Sequence, residues 1–355
     1  MLLLKNHALV KIMHWFLSAP FIEKPDADTW LAPFVPGTRH TFQPVPAPYQ
    51  HDRSRRQTNT SQWKDYYSHG AATWSASRQY SNNTGIITVF PQLALTVGLH
   101  KRLARRATPL LAWTFNLGST YGGAKKILAR FALQSVDRFI VHSRREITSY
   151  SDWLDISPDR FRFVPLQRPV EPINFAEDEA RPFVLSMGSA RRDYRLFFEV
   201  MADLAYPTVV VAGAQALEGL HIPSNVTVHH NLNITQCHEL AQKARINVVP
   251  IDNSTTASGQ VTLIESMMYA RPTIATQSIG TEDYVEDGKT ALLVPAGDHD
   301  SMKLAIRSLW EDQQRRKDLG LAGRKYVEDY LSDAAAGREL ALVLDELEDR
   351  YQHVR

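Results

Sequence analysis

The chain has a single cysteine, Cys237, in 355 residues. That excludes an internal disulfide, and the lone thiol reads as a buried group in a reducing compartment rather than as a nucleophile. No run of about 18 apolar residues occurs, so no segment reads as spanning a bilayer. The opening Met1-Leu2-Leu3-Leu4 is too short for a secretory signal, and Lys5 and Lys11 interrupt the residues after it. The 13 histidines are scattered, with His229-His230 adjacent rather than on one helical face. No Cys/His group has metal-ligand spacing, and no metal is expected. Internal repeats, low-complexity tracts and nucleic-acid-binding motifs are also lacking, so nucleic acid is not expected as a partner.

What is present suits two domains by length and by a hydrophobic content of 44%. The net charge of +2 hides an asymmetry: residues 1–168 carry 22 Lys and Arg against 10 Asp and Glu, and the remainder carries 18 against 28. A basic half joined to an acidic half points to an anionic surface or ligand facing the first half, and membrane lipid ranks above nucleic acid.

The stretch from Thr256 to Asp298 organises the chain. An apolar strand, Ile246 to Pro250, runs into a loop of small and polar residues, Asp252 to Gly259. A helix over Gln260–Tyr269, a strand over Pro272–Ala275 and a short apolar run over Ala291–Val294 come next. Strand, helix and strand at this spacing predict a parallel sheet covered by helices. The Ser258-Gly259-Gln260 turn opens the helix, where free N–H groups and the positive end of the helix dipole favour a phosphate. Glu265 stands about a turn and a half on, among Val261, Leu263, Ile264, Met267 and Met268, placed to accept two hydrogen bonds from a ribose diol. The same pattern also fits an ordinary helix N-cap with a solvated Glu.

Leu263-Ile264-Glu265-Ser266-Met267, Arg271 to Thr276, Gly280-Thr281-Glu282-Asp283-Tyr284-Val285, Asp287-Gly288 and Leu292 to Asp298 occur in an ordered series, continued by Leu319-Gly320 and Gly323-Arg324. This series resembles the C-terminal half of retaining glycosyltransferases of the GT-B fold, the family 4 group, from about Phe183 to Tyr330. The resemblance implies an α/β protein of two Rossmann-like domains whose parallel sheets face a central cleft. Two departures matter. The family usually has a Glu, seven residues, then a second Glu; Glu265 fits the second, but Ala257 occupies the first. Ala270 and Arg271 stand where the family has a small residue and its successor. The family resemblance also implies that Gly188-Ser189-Ala190-Arg191-Arg192, after the strand Phe183–Met187, holds the donor pyrophosphate. Arg191 and Arg192 are the cations offered for it, with Arg192 favoured; a surface N-cap with solvated Arg is the alternative. Asn231, after the strand Val226–His230, would face the nucleotide base.

In the first half, Val10–Leu17 reads as the opening strand. It ends at Ala19-Pro20-Phe21 where GT-B enzymes often carry a Gly-rich loop. Thr38–Tyr49 is a Pro-rich loop or edge strand, and His51–Ser61 is polar, basic and expected to be mobile. Gln62–Trp74, with Trp63, Tyr66, Tyr67 and Trp74, reads as core or as a sugar-stacking surface. Gly85–Phe90 is a strand and Leu93–Arg106 a helix with a basic end. The strand Pro109–Thr114 delivers Asn116 to the carboxyl edge of its sheet, where ligands of open α/β sheets bind. Lys125–Leu133 is a basic amphipathic helix, either at a membrane surface or packed by its apolar side. Arg138–Ser143 and Phe161–Pro165 are strands about the helix Arg144–Leu154. Asp300–Trp310, Gln313–Tyr330 and Ala334–Tyr351 are the last helices.

The reading is therefore a domain over 1–168 for the acceptor, a linker over Leu166–Pro182, a nucleotide-sugar domain over 183–333, and a helix over 334–355 crossing back. The implied activity is transfer of a hexosyl group, with retention, from a UDP- or GDP-linked sugar to a saccharide or lipid-linked acceptor in bacterial envelope or exopolysaccharide synthesis. It needs no cofactor, the nucleotide-sugar being a substrate. The expected catalytic residues are Arg191, Arg192 and Asn116; the expected donor-binding residues are Gly188, Ser189, Asn231, Ser258, Gly259, Gln260 and Glu265. The expected location is cytoplasmic, peripheral on the inner face of the plasma membrane through the basic half. The rivals are an inverting transferase with a base among Asp65, His69 and Asp137, and a catalytically silent nucleotide-binding or scaffold protein, for which Ala257 is the main argument.

Overall fold

A computed structural model of the chain describes residues 12–25, 30–50, 59–79, 83–118, 120–252 and 257–352. The chain divides into two compact units, Met1–Val164 with Gly337–Arg355, and Pro165–Ala336.

The first unit contains β1 (Met13–Ser18), β2 (His40–Pro44), α1 (Asn59–Ser77), β3 (Thr84–Val89), α2 (Pro91–Ala104), β4 (Leu110–Trp113), α3 (Gly123–Leu133), β5 (Arg138–Val141), α4 (Arg144–Leu154) and β6 (Phe161–Phe163). Its sheet is parallel throughout, in the order β2-β1-β3-β4-β5-β6. The Pro-rich stretch supplies the edge strand β2, ending at Pro44, where a missing N–H does least harm. Strands β3, β4 and the last three residues of β5 are buried along their length, as expected of parallel strands covered on both faces. The tract His51–Ser61 lies outside the described residues up to position 58, and the rest opens α1.

The second unit contains β7 (Val184–Met187), α5 (Tyr194–Leu204), β8 (Thr208–Val211), β9 (Val226–His229), α6 (Ile234–Lys243), β10 (Ile246–Val249), α7 (Gln260–Met268), β11 (Thr273–Thr276), β12 (Leu292–Val294), α8 (His299–Glu311) and α9 (Gln313–Tyr330). Its parallel sheet runs β12-β11-β10-β7-β8-β9. The strand order reverses between β7 and β10, a topological switch point, where the connections leave to opposite faces and open a crevice at the strands' carboxyl ends. Successive strand residues feed opposite cores. Val184, Val248 and Ile274 join Phe197, Met201 and Ile306 on one face; Leu185, Val249 and Ala275 join Leu263, Met267 and Tyr269 on the other. Each such fully buried large side chain contributes about 1.5–3 kcal/mol. A Cβ at Gly320 on α9 would stand 2.2 Å from the Ala270 carbonyl oxygen, so glycine there lets α9 lie directly on the end of α7. Arg324, a turn later, donates to the Met268 and Glu171 carbonyls.

Residues 165–182 carry no helix or strand and are tied along the second unit. The Asn174 and Phe175 amides donate to Gln242 Oε1, and Glu177 pairs with Arg245 at 2.7 Å. The last helix, α10 (Asp333–Gln352), passes from the second unit into the first at Gly337. Within the first unit Arg39 holds it through Asp345 and the buried Glu348, both at 2.9 Å. No helix among the described residues is long and apolar enough to cross a membrane.

Candidate functional site

Two loops meet at the switch point of the second sheet. The first leaves β7 as Gly188-Ser189-Ala190-Arg191-Arg192. Gly188 has φ +109°, a conformation that strains any L side chain, and a Cβ there would stand 2.5 Å from Arg192 Nη2 and push that guanidinium aside. Ser189 Oγ accepts from the Gly213 amide at 2.8 Å, tying this turn to the end of β8. Arg192 turns inward. Its Nε donates to the Met187 carbonyl at 3.1 Å, Nη1 to the Ala190 carbonyl at 2.8 Å and Nη2 to Thr262 Oγ1 on α7 at 2.9 Å. Burial lowers its pKa. Arg191 is exposed and left-handed at φ +56°, and its carbonyl accepts from the Asp252 amide at 3.2 Å. Asp193 then caps α5 by accepting from the Leu196 amide.

The second loop leaves β10 and reaches α7 through Ser258 and Gly259. Among the described residues no side chain caps α7. Its first-turn amides point out of the helix with the positive end of the dipole behind them. The backbone of Ser258 is backed by Gly280, where a Cβ would fall 2.2 Å from the Ser258 oxygen and 2.4 Å from its nitrogen. We expect Gly280→Ala to displace this loop at a cost of about 1–2 kcal/mol. A melting temperature several degrees lower, with weakened nucleotide binding, would record it; an unchanged melt would show that the loop yields freely.

Glu265 projects from the second turn of α7, 7% exposed. Its Oε1 lies 2.7 Å from Arg168 Nη2 and 3.8 Å from His238 Nε2. Arg168 is thus its ion-pair partner, and the oxygen makes no aligned hydrogen bond among the described residues. The same holds for His238 Nε2, Arg168 Nε, the Tyr269 hydroxyl, Ser258 Oγ and Asp252 Oδ1. Buried polar atoms left unpaired are costly, and natural folds keep few of them without a use. Six atoms without an aligned hydrogen bond lie on or against α7 and the end of β10, and the others are spread through both units. Burial and then the Glu265 carboxylate hold the Cys237 thiol and the Tyr269 phenol above their ordinary pKa values.

Of the residues singled out from sequence, Gly188, Ser189, Arg191 and Arg192 are thus brought beside Ser258, Gly259 and Gln260. Glu265 lies further along α7, about 7.5 Å from Gln260 at the helical rise per residue. Asn231, left-handed at φ +57°, comes after β9, two strands or roughly 10 Å from β7 across the sheet. Asn116 belongs to the first unit, where its Oδ1 accepts from the Gly118 amide at 2.8 Å. Sequence reading missed Thr262, which receives Arg192, and the pair Arg168 and His238 around Glu265. Arg168 reads as part of a linker and His238 as one scattered histidine, so neither carried a local signal. Among the described residues one group could hold a metal, His40, Asp345 and Glu348 in the first unit, but Arg39 already occupies both carboxylates.

The sequence model of the glycosyl transferases group 1 family matches residues 167–326. No curated protein matches the chain by sequence. Among solved structures, sucrose-phosphate synthase from Thermosynechococcus elongatus superposes with a TM-score of 0.71 at 16% identity, covering 96% of this chain and 100% of that one. HepE of Anabaena in complex with UDP does so with 0.66 at 13%, covering 94% and 100%. The lipopolysaccharide outer core galactosyltransferase WaaB in its apo form gives 0.66 at 11%, covering 94% and 100%. At these identities the likeness is one of fold.

Proposed function

We propose that this chain, whose residues 167–326 match the group 1 glycosyl transferase family and whose fold is that of the GT-B enzymes, is a glycosyltransferase, and that the transfer takes the following course. The donor is a UDP- or GDP-linked hexose, bound at the crevice between β7 and β10. Its pyrophosphate sits on the uncapped start of α7 and the Gly188–Arg192 turn, and its ribose diol on Glu265. The observation that carries this reading is the buried Glu265 carboxylate, one and a half turns beyond that helix start, whose Oε1 is ion-paired with Arg168 but makes no aligned hydrogen bond among the described residues. HepE was solved in complex with UDP and with UDP-glucose, which supports a uridine nucleotide for this fold.

As the glycosidic bond breaks, negative charge builds on the β-phosphate. The α7 amides are held in place by the helix, and the exposed Arg191 guanidinium beside them adds positive charge, so together they stabilise that charge. The sugar passes with retention to a saccharide or lipid-linked acceptor handled by the first unit, on the cytoplasmic face of a bacterial envelope membrane that the basic half meets peripherally. Two of the bases considered for an inverting mechanism are otherwise engaged. Asp137 is held by Lys101 at 2.5 Å and by the Tyr351 hydroxyl at 2.9 Å. The His69 ring is bound to the Val45 carbonyl and lies against Tyr49, and burial lowers its pKa.

A thermal-shift screen of nucleotides and nucleotide-sugars, followed by hydrolysis of the same donors, tests this. Stabilisation by one nucleotide and slow release of that nucleotide from one donor are expected, with the anomer of the transferred product reporting retention. No shift with any nucleotide and no release from any donor would favour the silent protein for which Ala257 argues.

A further inference from the structure

The first unit carries an apolar groove that the donor reading leaves unused. It lies among α1, α2 and α3, encloses about 650 Å³ and is walled by Trp63, Tyr67, Leu99 and Leu128, with Lys64 and Lys125 beside them. Among the described residues no carboxylate lines it. The volume falls within the range of about 300–1,000 Å³ typical of small-molecule sites. Its wall side chains are open: Trp63 is 47% exposed, Tyr67 50% and Leu128 49%.

Helix α3 explains how the groove stays uncovered. The helix packs inward through Ala129, Ala132 and Leu133. Its larger apolar residues face out, Ile127 at 71% exposure and Phe131 at 40% with the Arg102 guanidinium over its ring, and they alternate with Lys125, Lys126 and Arg130, the last paired with Asp155 beyond the helix. There is no acidic residue in α3. A helix with exposed branched and aromatic carbon interleaved with cations, and no anion, has the surface chemistry of the lipid–water interface. Exposed Trp and Tyr beside it suit that boundary, since each pairs an apolar ring with a polar edge.

We propose that this groove takes the hydrocarbon chain of an anionic, phosphate-bearing lipid, with Lys64 and Lys125 meeting its headgroup and Ile127 and Phe131 resting in the surrounding interface. The inference deepens the reading that the basic half meets anionic membrane and adds a defined chain-binding site to it. A single chain alone binds weakly, with a membrane association constant of about 10⁴ M⁻¹ for a myristoyl group, so the adjoining cations are needed to complete the attachment.

The test uses full-length protein and monomeric dodecyl phosphate below its micelle concentration, titrated by calorimetry. Saturable binding of one molecule per chain is expected. Leu128→Asp should weaken it at least tenfold, and Lys64→Glu with Lys125→Glu should weaken dodecyl phosphate more than uncharged dodecyl maltoside. Leu128 is half-exposed, so the variant should fold. Tyr67→Ser serves as a second probe of the wall, and melting curves verify both. Absence of monomer binding, or binding indifferent to Leu128→Asp and Tyr67→Ser, would overturn the groove site. Sedimentation of the same proteins with neutral and phosphatidylglycerol-containing vesicles separates the two readings. Salt-sensitive binding to anionic vesicles that survives Leu128→Asp unchanged would leave the membrane reading standing and remove the groove from it. Monomer binding without vesicle binding would keep the groove and remove the membrane. A wild-type dimer that Leu128→Asp dissociates would mean that a second copy covers this face, which also overturns the proposal.

Discussion

Replacing Arg191 by Ala is expected to lower turnover about a hundred- to a thousandfold, the scale of losing one preorganised charge stabiliser, while leaving the melting temperature close to that of the native protein. Arg191 is exposed at the switch point, its backbone held through the Asp252 amide. Lys at this position keeps the charge and loses the planar fork, so Arg191→Lys should recover part of the activity. Arg192 should behave differently. Sequence alone favours it as the pyrophosphate cation, but three of its donors bind Met187, Ala190 and Thr262, joining the β7 turn to α7. Those bonds leave in different directions from a rigid guanidinium, which a single ammonium does not reproduce. Arg192→Lys should therefore fare little better than Arg192→Ala, and both should lower stability as well as rate. Steady-state kinetics and melting curves of the four variants with the true donor separate the roles. Four native rates would reduce the turn to a helix cap and leave the phosphate to the Ser258–Gln260 amides.

Glu265→Ala should weaken nucleotide binding by about 1.5–3 kcal/mol, the range for hydrogen bonds to a charged group. The fold should survive, because the packing of α7 through Leu263, Ile264, Met267 and Met268 is untouched. Removing it does leave Arg168 without its 2.7 Å anion, so a small loss of stability is expected too. The ribose assignment has a sharper test in a 2′-deoxynucleotide. The native protein should bind it more weakly than the ribonucleotide, and Glu265→Ala should bind the two alike. Calorimetry showing the same sugar preference in both proteins, or an unchanged affinity in the variant, would remove Glu265 from the ribose.

Much of this architecture was legible because it is written in short-range patterns. The buried runs Val184–Met187, Ile246–Val249 and Thr273–Thr276 are parallel strands whose two covered faces demand continuous apolar sequence. The α7 start was legible from Ser258-Gly259-Gln260, and the ordered motifs after Leu263 placed the chain in its fold family. Helix α1 shows where such reading stops. Its aromatic residues fit a core face, yet Trp74 is buried and Trp63 and Tyr67 are exposed. In α3 only Leu133 of the larger apolar residues packs inward. Helical spacing defines which residues share a face but carries no information on what, if anything, lies opposite it.

Local sequence was thus enough for the elements, their parallel pairing and the place of the glycine-containing start of α7, because each depends on neighbours within a few positions. Three outcomes needed the folded chain. β10 lies beside β7, Arg192 spends its guanidinium inside the protein while Arg191 stays outside, and Arg168 and His238 converge on Glu265. Each joins residues from separate elements; Arg192 and Thr262, for instance, stand 70 positions apart. Which surfaces pack against one another in three dimensions sets these meetings, and no local periodicity encodes that choice.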